Sequence, residues 1–401
     1  MSQLLKIDPP SRVRPGQPPG FALWALGFRP FYLLGAGFAA LGVPLWLLLY
    51  MGKLALPGAW SPQVWHAHEM VFGFALAIVC GFLFTAVRNW TGLDTPTGPR
   101  LAALCALWLT VRLAYLAGAT LPALAGELLL LGLVAVILLR LLVRSGNRRN
   151  YFVGVLFVAL AIADLVFHAS VADLATGFTP LAAGRIGLYL VVALTTVIAG
   201  RVVPMFTLGA VRGVRQFRDA RLDRAALVAT LAAFGLDLAG IAGPALAAAA
   251  SLAAALQLAR LAGWGSFATL RHPLLWILHL AYAWLPAGLA LMAAGAVGWL
   301  PGSLAAHAFG LGLIGGLVIG MITRTALGHT GRMLVAGRAE TTMFVLVQAA
   351  ALTRVGGAML FAQDYMAVLV VAAALWSAGF GLYLVVYWPR LSRARVDGRE
   401  G

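Results

Sequence analysis

Charge is scarce in this chain. Only 10% of its residues are Asp, Glu, Lys or Arg, against roughly 25% in a soluble domain. So few charges cannot cover the water-facing surface of a 401-residue globule, and an ordinary soluble protein is excluded. Cysteine is nearly missing. Cys80 and Cys105 are the only two, both inside apolar segments, so neither a disulfide framework nor a thiolate metal site is expected. Period-two alternation is missing as well, which excludes a membrane β-barrel. There is no phosphate-binding loop, nucleophile elbow or zinc-protease motif. The glycine-rich stretch Gly310 to Gly320 falls inside an apolar run, where no nucleotide phosphate would bind. Met1 to Gly20 is rich in Pro and Arg and lacks an apolar core ending in a small-residue cleavage site, so no removable signal peptide is expected.

What is there is lipid-compatible surface. Hydrophobic residues make up 62% of the chain, and its mean hydropathy is +0.92. In lipid the backbone must satisfy its own hydrogen bonds, which leaves a helix bundle. The apolar runs predict an all-α integral membrane protein of about twelve transmembrane helices. The spans fall near 31–50, 66–87, 101–117, 122–143, 150–169, 184–208, 224–241, 244–264, 273–295, 302–325, 339–361 and 366–388. Pro122 and Pro244 mark tight hairpins between helices three and four and between seven and eight. The chain divides into an N-terminal segment (1–30), the bundle (31–388) and a basic tail (389–401).

The net charge of +16 comes mostly from arginines in alternate loops. Arg12, Arg14 and Arg29, Arg88 and Arg100, Arg144 to Arg149, Arg212 to Arg221, Arg271, Arg332 and Arg338, and Arg390 to Arg399 all share one side if the helix count is right. The opposite loops hold little beyond Lys53 and Arg185. The basic side is therefore expected to be cytoplasmic, with both termini there. The positive charge faces anionic headgroups, and no nucleic-acid partner is expected.

Polar groups inside membrane spans are costly and point to function. Four histidines from three helices fall at the outer level: His66 and His68 open helix two, His168 closes helix five and His307 lies one turn into helix ten. Neutral imidazole is a common metal ligand. Each of these histidines has a blander reading, that it meets water and headgroups at the interface. His66 and His68 stand about 200° apart on a helix, so they cannot share one site unless the helix begins between them. One could ligate while the other serves a second site or caps the helix. Glu69, three residues after His66, could orient that imidazole. The spacings Gly73, Ala77, Gly81 and Gly312, Gly316, Gly320 allow close approach of helices or of a flat ligand.

A second set gathers at the cytoplasmic level: Arg88, Asn89 and Trp90; Arg201, Pro204 and Met205; His279, Tyr282 and Trp284; Arg324, Thr325, His329 and Arg332. Arg201 and Arg324 lie within apolar spans and could clamp carboxylates or another anion, or could snorkel to headgroups. No chain of acids crosses the bilayer, so a proton pump is not indicated.

Several phrases occur together in order: Leu26-Gly27-Phe28-Arg29-Pro30-Phe31, Trp65-His66-Ala67-His68-Glu69-Met70, Phe84-Thr85-Ala86-Val87-Arg88-Asn89-Trp90, Gly146-Asn147-Arg148-Arg149-Asn150, Gly200-Arg201-Val202-Val203-Pro204-Met205, Tyr282-Ala283-Trp284 after His279, and Thr323-Arg324 through Gly328-His329-Thr330-Gly331-Arg332. With these the sequence resembles the NnrS family from near residue 21 to near residue 332. The resemblance implies a twelve-helix bacterial inner-membrane protein that carries haem and copper and acts in nitric oxide metabolism, denitrification and resistance to nitrosative stress. It implies a distant likeness to the catalytic subunit of haem–copper oxidases. Helix six here carries Arg201, Pro204 and Met205 where those oxidases have a His-Pro-Glu-Val-Tyr motif, and helix seven has no histidine, so their copper centre does not carry over. The metal candidates are His66, His68, His168, His279, His307 and His329, and the cofactor-binding candidates are Arg88, Trp90, Arg201 and Arg324. No Cys-x-x-Cys-His motif is present, so any haem would be held non-covalently. The alternative function is a transporter for a small anion or metal chelate.

Overall fold

The computed structural model describes residues 20–58, 60–174 and 176–399. Among them are twelve long helices, here α1 to α12, and no strand beyond one isolated bridge, Phe21 to Arg393. They are α1 Phe28–Tyr50, α2 Pro62–Thr91, α3 Gly98–Leu116, α4 Thr120–Arg144, α5 Arg148–Val171, α6 Pro180–Ala210, α7 Ala220–Leu238, α8 Pro244–Ala262, α9 Pro273–Ala296, α10 Ser303–His329, α11 Arg338–Leu360 and α12 Tyr365–Ser392. Local chemistry sets the starts. Ser61 and Thr179 each accept a hydrogen bond from the N–H three residues on, and Pro62 and Pro180 follow them with a pre-set helical φ. Proline also opens α8 and α9.

Eleven of the twelve helices are long and apolar enough to cross a membrane. The exception among the expected spans is α7, which has the length but carries Arg221, Asp223, Arg224 and Asp237. Two of these charges are matched by neighbours. Asp223 accepts from Arg260 of α8 at 2.5 Å, and Asp237 accepts from Tyr189 at 2.7 Å and Arg185 at 3.2 Å, both of α6. Hydropathy alone undervalues α7 because it counts charges without their partners.

Sequential helices pack side by side, and α12 closes the bundle by lying against both α1 and α11. The ends of the described chain pair with each other. Ala22 N–H donates to Ser392 O at 2.8 Å, and Arg29 donates to Leu391 O at 2.8 Å and Arg393 O at 2.7 Å. Both ends therefore lie at the same, arginine-rich end of the bundle. Mid-helix apolar side chains such as Leu113, Val155 and Ile162 point outward and stay more than half exposed, a surface suited to lipid. Reporter fusions at Arg148 and in the tail are expected to read cytoplasmic and one near Lys53 periplasmic. A periplasmic tail would overturn the even crossing count.

The most buried span is α2. It touches α1, α4 and α6, and Trp108 of α3 donates to its Gly73 carbonyl at 3.2 Å. Three helices depart from α geometry by wider π-helical turns: Glu69–Ala75 in α2, Ala308–Gly315 in α10 and Thr353–Gly357 in α11. Such turns cluster at functional sites because they re-aim side chains within a continuous helix. The expected glycine spacings serve helix packing: a methyl at Gly312 would collide with Trp284 of α9, and one at Gly320 with Leu278.

Candidate functional site

The two histidines of helix two face different neighbours. His68 points into a cluster built from α2, α3, α4 and α5. Its Nδ1 lies 2.9 Å from Glu69 Oε1, and its Nε2 lies 3.0 Å from Asp164 Oδ1. His168, one turn after Asp164 on α5, has its Nε2 at 3.5 Å from the same oxygen and 2.9 Å from the Tyr115 hydroxyl. One ligand atom from each of His68, Asp164 and His168 falls within 4.8 Å of the others, so the three can hold one metal ion. Arg112 donates to Glu69 at 2.9 Å and pairs with Glu127. Glu69 thus serves His68 and Arg112, not His66 as its spacing suggested. Gly73 leaves room for this contact: a Cβ there would sit 3.1 Å from Glu69 Oε2 and 2.9 Å from the Phe38 ring.

Burial sharpens the electrostatics. His68, Glu69, Glu127 and Asp164 are 0% exposed and Arg112 is 2% exposed. Three carboxyl groups, those of Glu69, Glu127 and Asp164, face one guanidinium and two imidazoles, and each ring nitrogen of His68 lies at hydrogen-bond distance from one of them. Asp164 Oδ2 and Glu69 Oε2 have no hydrogen-bond partner among the described residues. Isolated charge in so dry a setting costs several kcal/mol per ion. Trp60 covers the cluster, its ring centroid 5.0 Å from that of His68 and 5.2 Å from that of His168.

His66 points the other way. It stacks on Trp46 at 4.4 Å, and its ring centroid is 6.4 Å from that of His307 with the planes 17° apart. His66 Nδ1 is buried with no partner among the described residues. His307 Nδ1 lies 2.7 Å from Ser303 O, an arrangement that directs its other ring nitrogen away from the backbone. From about 10 Å further along α2 and α10 runs an apolar cleft of about 680 Å³ including its open mouth. Ile78, Phe82, Leu194, Ile198, Leu317 and Met321 are among its lining residues.

The remaining candidates are dispersed. His279 Nε2 and Nδ1 lie 2.8 Å from the hydroxyls of Thr207 and Ser266, so both ring nitrogens are engaged. His329 packs against Phe28, with ring centroids 5.5 Å apart, at the arginine-rich end. Arg88 meets the exposed Asp94 at 3.2 Å, and the Trp90 carbonyl accepts from Asn147 at 3.2 Å. Arg201 donates to Asn150 at 3.1 Å beside the Phe152 ring, and Arg324 lies over Phe206 at 4.0 Å. Neither Arg201 nor Arg324 has a carboxylate within ion-pair distance among the described residues. Sequence reasoning passed over Arg112, Tyr115 and Arg354. An ionisable residue inside an apolar span was the available signal for both arginines.

A family model described as NnrS protein matches residues 22–395, nearly the whole chain. No curated protein matches it.

Proposed function

The chain belongs to the NnrS family, and from that premise we propose that it is a haem- and copper-binding inner-membrane protein of the nitric oxide response with two separate metal sites. Membership itself supports a membrane protein of that response in general; the cofactors and their ligands are the proposal. The observation that carries it is the buried cluster of His68, Asp164 and His168, whose ligand atoms lie within 4.8 Å of one another. Two imidazoles and a carboxylate without sulfur suit a divalent first-row metal, Cu²⁺ among them. Glu69, accepting from His68 Nδ1–H, would fix the tautomer that frees Nε2 for the metal.

The second site is the His66–His307 pair. The 6.4 Å separation of the rings, the partnerless His66 Nδ1 and the Ser303 contact of His307 support these two residues as the ones that would hold a haem iron. When bound, haem supplies a redox-active iron. The protein's own part is to hold the imidazoles on two helices and to cover His66 with Trp46. At the arginine-rich end, Arg201 and Arg324 without acids leave room for an anion there, which is the feature the transporter alternative would use.

Metal analysis of the purified protein tests this reading. The expected result is red protein with a Soret band and a second transition metal, copper, bound near one ion per chain. Colourless, metal-free protein that carries an anion across vesicle membranes would overturn it in favour of the transporter.

A further inference from the structure

Arg354 sits in the π-helical turn of α11 and is 6% exposed. Only one of its nitrogens is engaged: Nη2 donates to the Tyr365 hydroxyl at 3.0 Å, while Nε and Nη1 are buried with no partner among the described residues. The ring of Tyr365 lies 5.5 Å from the guanidinium carbon. No described carboxylate comes within ion-pair distance of it. Every other arginine buried within the spans at 7% exposure or less has partners that account for it: Arg112 has Glu69 and Glu127, Arg260 has Asp223 and Tyr282, and Arg29 has two carbonyls.

Its place in the bundle is specific. The turn that carries Arg354 touches the first turn of α10, Ser303–His307. A permanent cation in this setting, with no described carboxylate at ion-pair distance, is costly in lipid unless an anion joins it. Guanidinium is planar and always charged, and its unengaged Nε and Nη1 lie on different edges, each able to donate to an anion oxygen beside the second hydrogen of Nη2.

We propose that Arg354 is an anion-binding residue at the edge of the His66–His307 site, taking a carboxylate or small oxyanion through its unengaged Nε or Nη1 beside the second hydrogen of Nη2. The anion is either a carboxylate of the group held between the two histidines, which rests on the haem reading above, or a free small oxyanion. In both cases Tyr365 positions the guanidinium through Nη2.

The test uses the full-length protein in detergent. Haem per chain is measured by pyridine haemochrome, and binding of nitrite and of formate by calorimetry, for wild type, Arg354→Gln, Arg354→Lys and His66→Ala. If the anion is a haem carboxylate, Arg354→Gln lowers haem affinity roughly tenfold or more, the range for residues that support metal ligands, and wild type binds neither probe. If it is free, haem content is unchanged and the affinity for nitrite or formate falls by a similar factor. Arg354→Lys keeps the charge without the fork; it covers the case in which the glutamine variant does not fold, and it is expected to show the same loss. Folded variants with wild-type haem affinity and wild-type probe binding overturn the proposal. Should His66→Ala keep all its haem, the axial reading falls, while loss of probe binding in Arg354→Gln still upholds the anion site.

Discussion

Arg112→Leu is expected to prevent the protein from accumulating in folded form. Among the described residues, Arg112 is the one arginine in direct contact with the acids of this cluster, at 2.9 Å from Glu69 and paired with Glu127. Both glutamates are 0% exposed. Removing one member of a buried pair leaves the other charged and desolvated, a loss of about 3–5 kcal/mol, comparable to a large part of total stability. Leucine is close enough in volume that packing is not the main loss. The double variant Arg112→Leu/Glu127→Gln removes a charge from each side and is expected to recover part of the yield. Monodisperse protein after gel filtration, followed by melting with tryptophan fluorescence, reads both results. A leucine variant that melts like wild type would mean that the acids are protonated and that the cluster carries no net negative charge to attract a metal.

The second large effect is a separation of metals by site. His66→Ala and His307→Ala are expected to lose the Soret band and to keep the other metal. His68→Ala, Asp164→Ala and His168→Ala are expected to keep the Soret band and to lose that metal. The warrant is the opposite direction of the two helix-two histidines: His66 stacks on Trp46 toward His307, and His68 meets Asp164 toward His168. Loss of even an outer hydrogen-bond partner lowers metal affinity roughly 10- to 100-fold, so loss of a direct ligand empties a site at ordinary metal concentrations. His272→Ala, at the start of α9 on the arginine-rich end, is the control and should retain both. Parallel loss of both metals in all five variants would mean one shared centre or general misfolding, and the two-site reading would fail.

Much of this architecture was legible before any fold was in hand. Long apolar runs in a chain with 10% charge can only be helices in lipid, and the arginine pattern implied an even number of crossings. Twelve helices near the expected positions follow from that, because hydropathy and helix length are local properties. The level of each histidine was legible for the same reason: along a helix, sequence number is height. Hence His66, His68, His168 and His307 could be named together. Only α7 escaped the hydropathy rule, since its acids are neutralised by Arg185 and Arg260 of other helices.

What sequence could not decide is direction around each helix, and which helices are neighbours. His66 and His68 were known to diverge; that one meets His307 and the other Asp164 depends on α2 standing against both α5 and α10. α-Helical spacing points Glu69 toward His66, whereas it serves His68 and Arg112, because Arg112 arrives from another helix. Arg112 and Arg354 looked alike in sequence, each a lone cation in an apolar span. Packing gave Arg112 two carboxylates and Arg354 none. Charge compensation is a pairwise property across the bundle, so it exists only once distant helices are side by side. For that reason composition determined the solvent, the element type and the layer of each polar residue, while the tertiary structure alone decided which charges cancel and which remain to attract a ligand.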